Sequence, residues 1–225
     1  MHSVFILRRD AAEARRSQAQ IETTRDLRVA GVADSLFKAR PMLAARDPDL
    51  LLADLRLEDG TLLGLLHEVR CARPAGERPR ILLVVPNADD PLLFGALRAG
   101  GDSWVLDEDA SAQPAPPLYR LLRGEAAASA TVARQALSFF GVPFAATNMP
   151  SAQERTLDWQ SDANNPLRLS RAEQHMLVLF ALGHGAGQIA VRMGVSVESI
   201  GRRIGNVIRK TQWELRSGAL SLSAA

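Results

Sequence analysis

The chain has 225 residues, long for one domain and comfortable for two small ones, and its 47% hydrophobic and 23% charged residues are ordinary for a folded globular protein. No uninterrupted apolar run approaches the ~18–20 residues that span a bilayer, and a single cysteine, Cys71, excludes an internal disulfide and has no metal-ligand spacing around it. The net charge of +2 is unevenly spread: from Asn165 onward eight basic residues stand against three acidic ones, and before it nineteen stand against twenty-two.

A basic tail on an acidic body is the polarity expected where the tail meets phosphate. The opening residues, Met1-His2-Ser3-Val4-Phe5-Ile6-Leu7-Arg8-Arg9, lack the basic-then-long-apolar order of a secretory signal, so the expected compartment is the cytoplasm.

Short apolar runs at Val4–Leu7, Leu27–Val32, Leu50–Ala53, Ile81–Val85 and Ser103–Leu106 alternate with amphipathic stretches near Ala11–Ile21, Ser35–Ala45, Leu62–Val69 and Leu92–Ala99, and a shorter one at Pro117–Leu122. Five strands, each followed by a helix, predict an α/β doubly wound five-stranded parallel sheet over residues 1–124. Nearly continuous apolar strands suit burial on both faces, and ligand chemistry in such folds sits at the carboxyl ends of the strands.

Gly124 closes this unit. A helix is expected at Ala130–Phe140, and Gly141–Pro166, with three prolines and a polar stretch, reads as a connector. Residues 125–166 are therefore expected to link two domains, since so long an irregular segment is uncommon inside one.

The last unit, 167–225, opens with Ser170-Arg171-Ala172-Glu173, a capping box. Ala172, Met176, Leu177 and Phe180 form a buried stripe, Gly183 stops that helix, and a short second helix carries Ile189 and Met193. The turn Met193-Gly194-Val195-Ser196 leads into a third helix, with Gly194 free to take a positive φ and Ser196 placed as its cap. There Ile200, Ile204, Val207 and Ile208 share one face, and Ser199, Arg202, Arg203, Asn206 and Lys210 the other. A basic, hydrogen-bonding face on the second helix of a tight helix-turn-helix suits entry into the major groove of double-stranded DNA.

Leu169–Glu173, Gly183, Gln188-Ile189-Ala190, Met193–Ser196, Ser199-Ile200, Asn206 and Arg209-Lys210 resemble, without a gap, the LuxR-type helix-turn-helix of NarL/FixJ response regulators. The resemblance adds Arg209 to the residues expected at DNA and implies a transcription regulator acting as a homodimer on paired half-sites. Candidate dimer surfaces are the helices of the first domain and Trp213–Leu222. Gly201 and Gly205 depart from the family, which usually offers larger, often basic or polar side chains there. Two glycines loosen a helix and remove base contacts, which implies looser discrimination or closer approach of backbone to DNA.

The first domain is similar to that family's receiver, with Asp49–Gly60 as the third strand and its loop and Asp54 at the phospho-acceptor position. The family's chemistry does not carry over. Where a receiver has two carboxylates after strand one, this chain has Arg8 and Arg9, with only Asp10 beyond them. Val85 stands in place of the hydroxyl residue, and Asp107 in place of the lysine. Mg²⁺ wants oxygen ligands and two arginines repel it, so no metal, no cofactor, no catalytic residues and no aspartyl phosphorylation are expected. Arg8 or Arg9 could pair with Asp54 or Asp107, lowering the pKa of Asp54, or both could point to solvent.

His2, His67, His175 and His184 share no ligand or triad spacing. An alternative reading is a regulator that binds a protein partner through the receiver-like domain, with weak or no DNA binding. The reading furthest from the residues is an enzyme with Asp54 as nucleophile.

Overall fold

Val4 to Leu7, Leu50 to Ala53 and Ile81 to Val85 are almost wholly out of water, as only strands covered on both faces can be. In the computed structural model, which describes residues 1–72, 78–144 and 168–222, with side chains up to Trp213, these strands form the middle of a parallel sheet. Two compact units divide the chain, Met1–Arg123 and Gly124–Ala225.

The first unit runs β1 (His2–Leu7), α1 (Ala11–Glu22), β2 (Leu27–Ala33), α2 (Leu36–Arg46), β3 (Leu50–Asp54), β4 (Arg56–Leu57), β5 (Gly60–Thr61), α3 (Leu63–Ala72), β6 (Arg80–Val85), α4 (Leu93–Ala99), β7 (Ser103–Leu106), α5 (Asp107–Ala112) and α6 (Ala115–Leu122). The five-stranded sheet has the order β2-β1-β3-β6-β7, the doubly wound arrangement expected, while β4 and β5 form a separate antiparallel pair. Strand order reverses between β1 and β3, which opens a crevice at their carboxyl ends. The register sets Leu7 beside Ala53, Asp54 beside Val84 and Val85 beside Leu106, so the residues that follow these strands come out together.

Two elements differ from the sequence reading. Asp107–Ala112 is helical immediately after β7, with Asp107, Glu108 and Asp109 in its first turn, where acidic side chains favour the helix dipole. The small hairpin after β3 turns at Gly60, whose φ of 144° disfavours any side chain.

The second unit holds α7 (Ala130–Phe139), α8 (Arg171–Ala181), α9 (Ala186–Met193) and α10 (Val197–Leu222). Ser129 caps α7, whose Val132, Ala133, Ala136 and Leu137 are buried, and Arg134 donates to the Ala181 carbonyl at 2.7 Å. The helix expected between the domains thus packs with the helix-turn-helix, on α8. The third helix of that motif and the last segment are one 26-residue helix. The expected connector falls outside the described residues from 145 to 166, as do the side chains of 214–222 in the candidate dimer surface.

Candidate functional site

The carboxyl ends of β1, β3 and β7 deliver Arg8, Asp54 and Asp107 to one place. Arg8 is 1% exposed. Its Nε donates to Asp54 Oδ1 at 3.0 Å, and its Nη2 pairs closely with Asp107 Oδ1. Its Nη1 donates to Ser17 Oγ at 3.2 Å and Ser111 Oγ at 3.1 Å, and the Glu13 carboxylate lies 3.9 Å from Nη2. A guanidinium has a rigid fork of five N–H donors, and here acceptors surround it on three sides. α1 supplies Glu13 and Ser17, and α5 supplies Ser111, so the unexpected helix is a wall of the cage.

Of the pairings left open by the sequence, Arg8 makes both. Arg9 reaches Asp54 only through its backbone N–H, which donates to Oδ2 at 2.7 Å; its side chain is exposed and outside the pocket, correcting its place among the pocket residues. A side chain that follows a strand residue pointing inward alternates to the other face, which is why one arginine enters and its neighbour leaves. Asp10 caps α1, accepting from Ala12 N at 2.6 Å and Glu13 N at 3.1 Å. Val85 is fully buried.

The direction of the Asp54 shift also corrects the expectation. Burial pushes its carboxyl above the ordinary carboxylate range, against the Arg8 charge and the Arg9 N–H, with the Asp107 charge adding to the rise. Desolvation outweighs the single shared cation.

These residues do not fit a magnesium ion. The cation's place between Asp54 and Asp107 holds the Arg8 guanidinium, and the one carboxylate directly after β1, Asp10, is committed to a helix cap.

In the second unit, the Ser170 capping box forms: Glu173 Oε2 accepts from Ser170 N at 2.7 Å, and Ser170 Oγ accepts from Glu173 N at 3.1 Å. Gly194 ends α9 at φ 64°, and Ser196 Oγ accepts from Ser199 N at 3.2 Å at the start of α10. Ile200, Ile204, Val207 and Ile208 are buried. Arg202 and Arg209 are exposed, each turned back along the helix, Arg202 to Ser199 Oγ at 3.3 Å and Arg209 to Asn206 Oδ1; Ser199 and Asn206 are partly exposed.

Lys210 is not on that face. It is 7% exposed, with Nζ donating to Glu173 Oε2 at 2.7 Å and to the Arg168 carbonyl at 3.1 Å. Position 210 is turned about 100° around the helix from Arg209, toward α8, where it meets Glu173. Glu173 thus serves the cap and the ion pair with one oxygen. Arg203 lies half-buried on the same flank; burial lowers its pKa, and the Glu173 charge opposes this.

Gly201 and Gly205 meet the chain itself. The segment after Gly124 lies along them: Ala126 N donates to the Gly201 carbonyl at 2.9 Å. A Cβ on Gly205 would stand 2.4 Å from the Gly124 carbonyl oxygen, and one on Gly201 would stand 3.0 Å from Glu125 Cβ. The glycines therefore form a notch for residues 124–126, a contact the sequence reading did not give them. Nothing local in the sequence announces this, because the two pieces are about 75 residues apart.

No family model matches the chain. Response regulator protein VraR of Staphylococcus aureus is 22% identical over 200 residues, covering 89% of this chain and 85% of VraR. A two-component response regulator of the LuxR family from Aurantimonas superposes with a TM-score of 0.53 at 17% identity, over 61% of this chain and 99% of that one. RcsB from Salmonella enterica serovar Typhimurium, solved bound to a promoter, superposes with a TM-score of 0.50 at 19% identity, over 94% of this chain and 92% of RcsB. The superpositions carry the fold, and the VraR likeness runs through both units. In sequence and in fold alike, this chain is similar to the response regulators of the NarL/FixJ type, a receiver-like unit followed by a helix-turn-helix unit.

Proposed function

We propose that the protein is a DNA-binding transcription regulator, not an enzyme, whose receiver-like unit works without aspartyl phosphorylation. The observation that carries the DNA reading is the row of exposed Arg202 and Arg209 with partly exposed Asn206 on α10, held by the buried isoleucines behind it. Arginine can take guanine edges or phosphates, and asparagine adenine or a backbone oxygen. Ser199 and Arg203 flank the row. RcsB has been solved as dimers on DNA. Carried to this chain, that supports a homodimer on paired half-sites, because half-sites related by two-fold symmetry call for a two-fold protein.

The caged Arg8 supports independence from phosphorylation. It already gives Asp54 and Asp107 a cation where a metal would stand, and its N–H donors are committed to Asp54, Asp107, Ser17 and Ser111 and so are not open to a phosphoryl oxygen. Incubation with a small phosphodonor and Mg²⁺, followed by intact mass measurement, should leave the chain unmodified. An adduct that vanishes in Asp54→Asn and alters DNA binding would overturn this half of the proposal.

DNA binding itself is tested by selection from random-sequence duplexes, followed by gel-shift titration. Arg202→Ala combined with Arg209→Ala should weaken binding by ~1–3 kcal/mol for each arginine that reads a base, and flatten the salt dependence for each that neutralises a phosphate. Unchanged affinity would remove α10 from the interface. The second reading, a protein-interaction regulator with weak DNA binding, has in its favour the segment that covers one edge of α10.

A further inference from the structure

The notch on α10 closes the edge that the family resemblance assigns to DNA. Gly205 is buried in the folded chain although it lies outside the isoleucine stripe, and the Gly124 carbonyl lies directly against it. Successive residues on a helix are about 100° apart, so Gly201 and Gly205 lie about 40° from each other, with Arg202 about 60° and Arg209 about 40° beyond Gly205. A duplex that brought its groove onto Arg202 and Arg209 would meet the covered edge as well, since a helix in the major groove is approached over much of its circumference.

The tie between segment and helix is a backbone hydrogen bond, from Ala126 N to the Gly201 carbonyl, and that carbonyl is already within the helical ladder of α10. The segment also sets Glu125, 5% exposed, against Gly201, so a side chain as well as backbone fills the space beside that glycine. Both features oppose DNA at the same edge by filling the space that a groove would need.

We propose that residues 124–126 are an intrachain latch that competes with double-stranded DNA for the Gly201–Gly205 edge of α10, and that they leave the notch when the helix enters the groove. The proposal rests on the DNA-binding reading and adds to it what holds the helix back. Glycine at 201 and 205 is then explained by the closed state: any Cβ at 205 collides with a backbone oxygen, which has no rotamer by which to give way. Apparent affinity for DNA is reduced by the fraction of molecules that are open, so anything that empties the notch tightens binding.

The test uses the full chain, Gly205→Ala and Ala126→Pro. The first places a methyl where the Gly124 carbonyl lies, and alanine favours the helix, so α10 is not weakened. The second deletes the N–H that Gly201 accepts and leaves α10 untouched. Hydrogen exchange read by mass spectrometry on peptides covering 124–128 reports the latch, and gel shift on a duplex recovered by selection, or on the random-sequence pool if none is enriched, reports DNA. Both variants should exchange faster at 124–128 without DNA and bind about fivefold tighter, the factor that one net hydrogen bond is worth. In the parent chain, DNA should speed exchange at 124–128. Faster exchange in both variants with unchanged or weaker DNA binding would overturn the latch while leaving the DNA reading intact, as would protection of 124–128 that persists on DNA. Absence of DNA binding by all three chains would overturn the DNA reading and the latch together.

Discussion

A buried arginine is stable only in company, and Arg8 has it: two carboxylates paired directly with it, a third at 3.9 Å and two hydroxyls. Removing the cation leaves the acids facing one another with Asp54 largely out of water, so Arg8→Ala should cost about 3–5 kcal/mol in urea denaturation. Arg8→Lys should recover only part of this, since a lysine is a point charge that cannot span both aspartates. A loss below about 1 kcal/mol in Arg8→Ala would mean that the cage does not hold. Lys210 obeys the same rule in the second unit. Lys210→Ala strands the buried Glu173 carboxylate and should lower stability by a similar ~3–5 kcal/mol, whereas Arg202→Ala, at an exposed position, should leave stability nearly untouched. Comparing thermal midpoints of the two variants separates the buried lysine from the surface arginine, and equal midpoints would place Lys210 back on the open face.

Strands β1 and β3 are tied to each other at both ends by carboxylates, and the pH responses of the two differ in sign. Ser3 N and Oγ both donate to Asp49 Oδ2 at 2.7 Å, joining the start of β1 to the start of β3, and the Ser3 N–H holds the Asp49 pKa below its ordinary value. A lowered folded pKa gives stability that is present above the unfolded pKa and is lost as pH falls through the folded one. Asp49→Asn should therefore lose less stability on acidification than the parent, by under about 1 kcal/mol because the carboxylate is exposed. Asp54 runs the other way. Its folded pKa is raised by burial, so its contribution is present below the unfolded pKa and is lost as pH rises through the folded one. Asp54→Asn should lose stability more steeply than the parent as the pH falls through the acidic window in which the raised carboxylate takes up its proton. Denaturation midpoints measured across that window check both, and parallel slopes in all three chains would contradict the assignment of these two groups.

How far such elements can be read in advance depends on the range of the signal. The apolar runs of β1, β3 and β6 are written in consecutive residues, and so is the Ser170–Glu173 box, so both are legible. Asp107–Ala112 is not, because three acids in a row look like a loop until they are seen to sit at a helix N-terminus. The arginine–aspartate cage can be narrowed to a few pairings from the neighbouring strands, but which of Arg8 and Arg9 turns inward is a matter of one residue of phase. Lys210 is misplaced by helical phase alone because its partner, Glu173, already has a local role in the cap. The notch at Gly201 and Gly205 cannot be read at all, since a glycine records that something is close without recording what.

At the scale of the molecule, the basic balance from Asn165 onward and the acidic balance before it suit the proposed meeting with DNA by the tail. Sedimentation of the full chain with a selected duplex should show two protomers per DNA, and a strict monomer with and without DNA would refute the homodimer. The caged guanidinium has one more consequence. A bound metal ion leaves on dilution and is stripped by chelators, and its occupancy follows the concentration of the free ion. Arg8 is carried by the backbone, so the acidic crevice holds its cation in every molecule at every dilution. The unfolding midpoint of this chain should therefore be the same in excess EDTA as in millimolar magnesium.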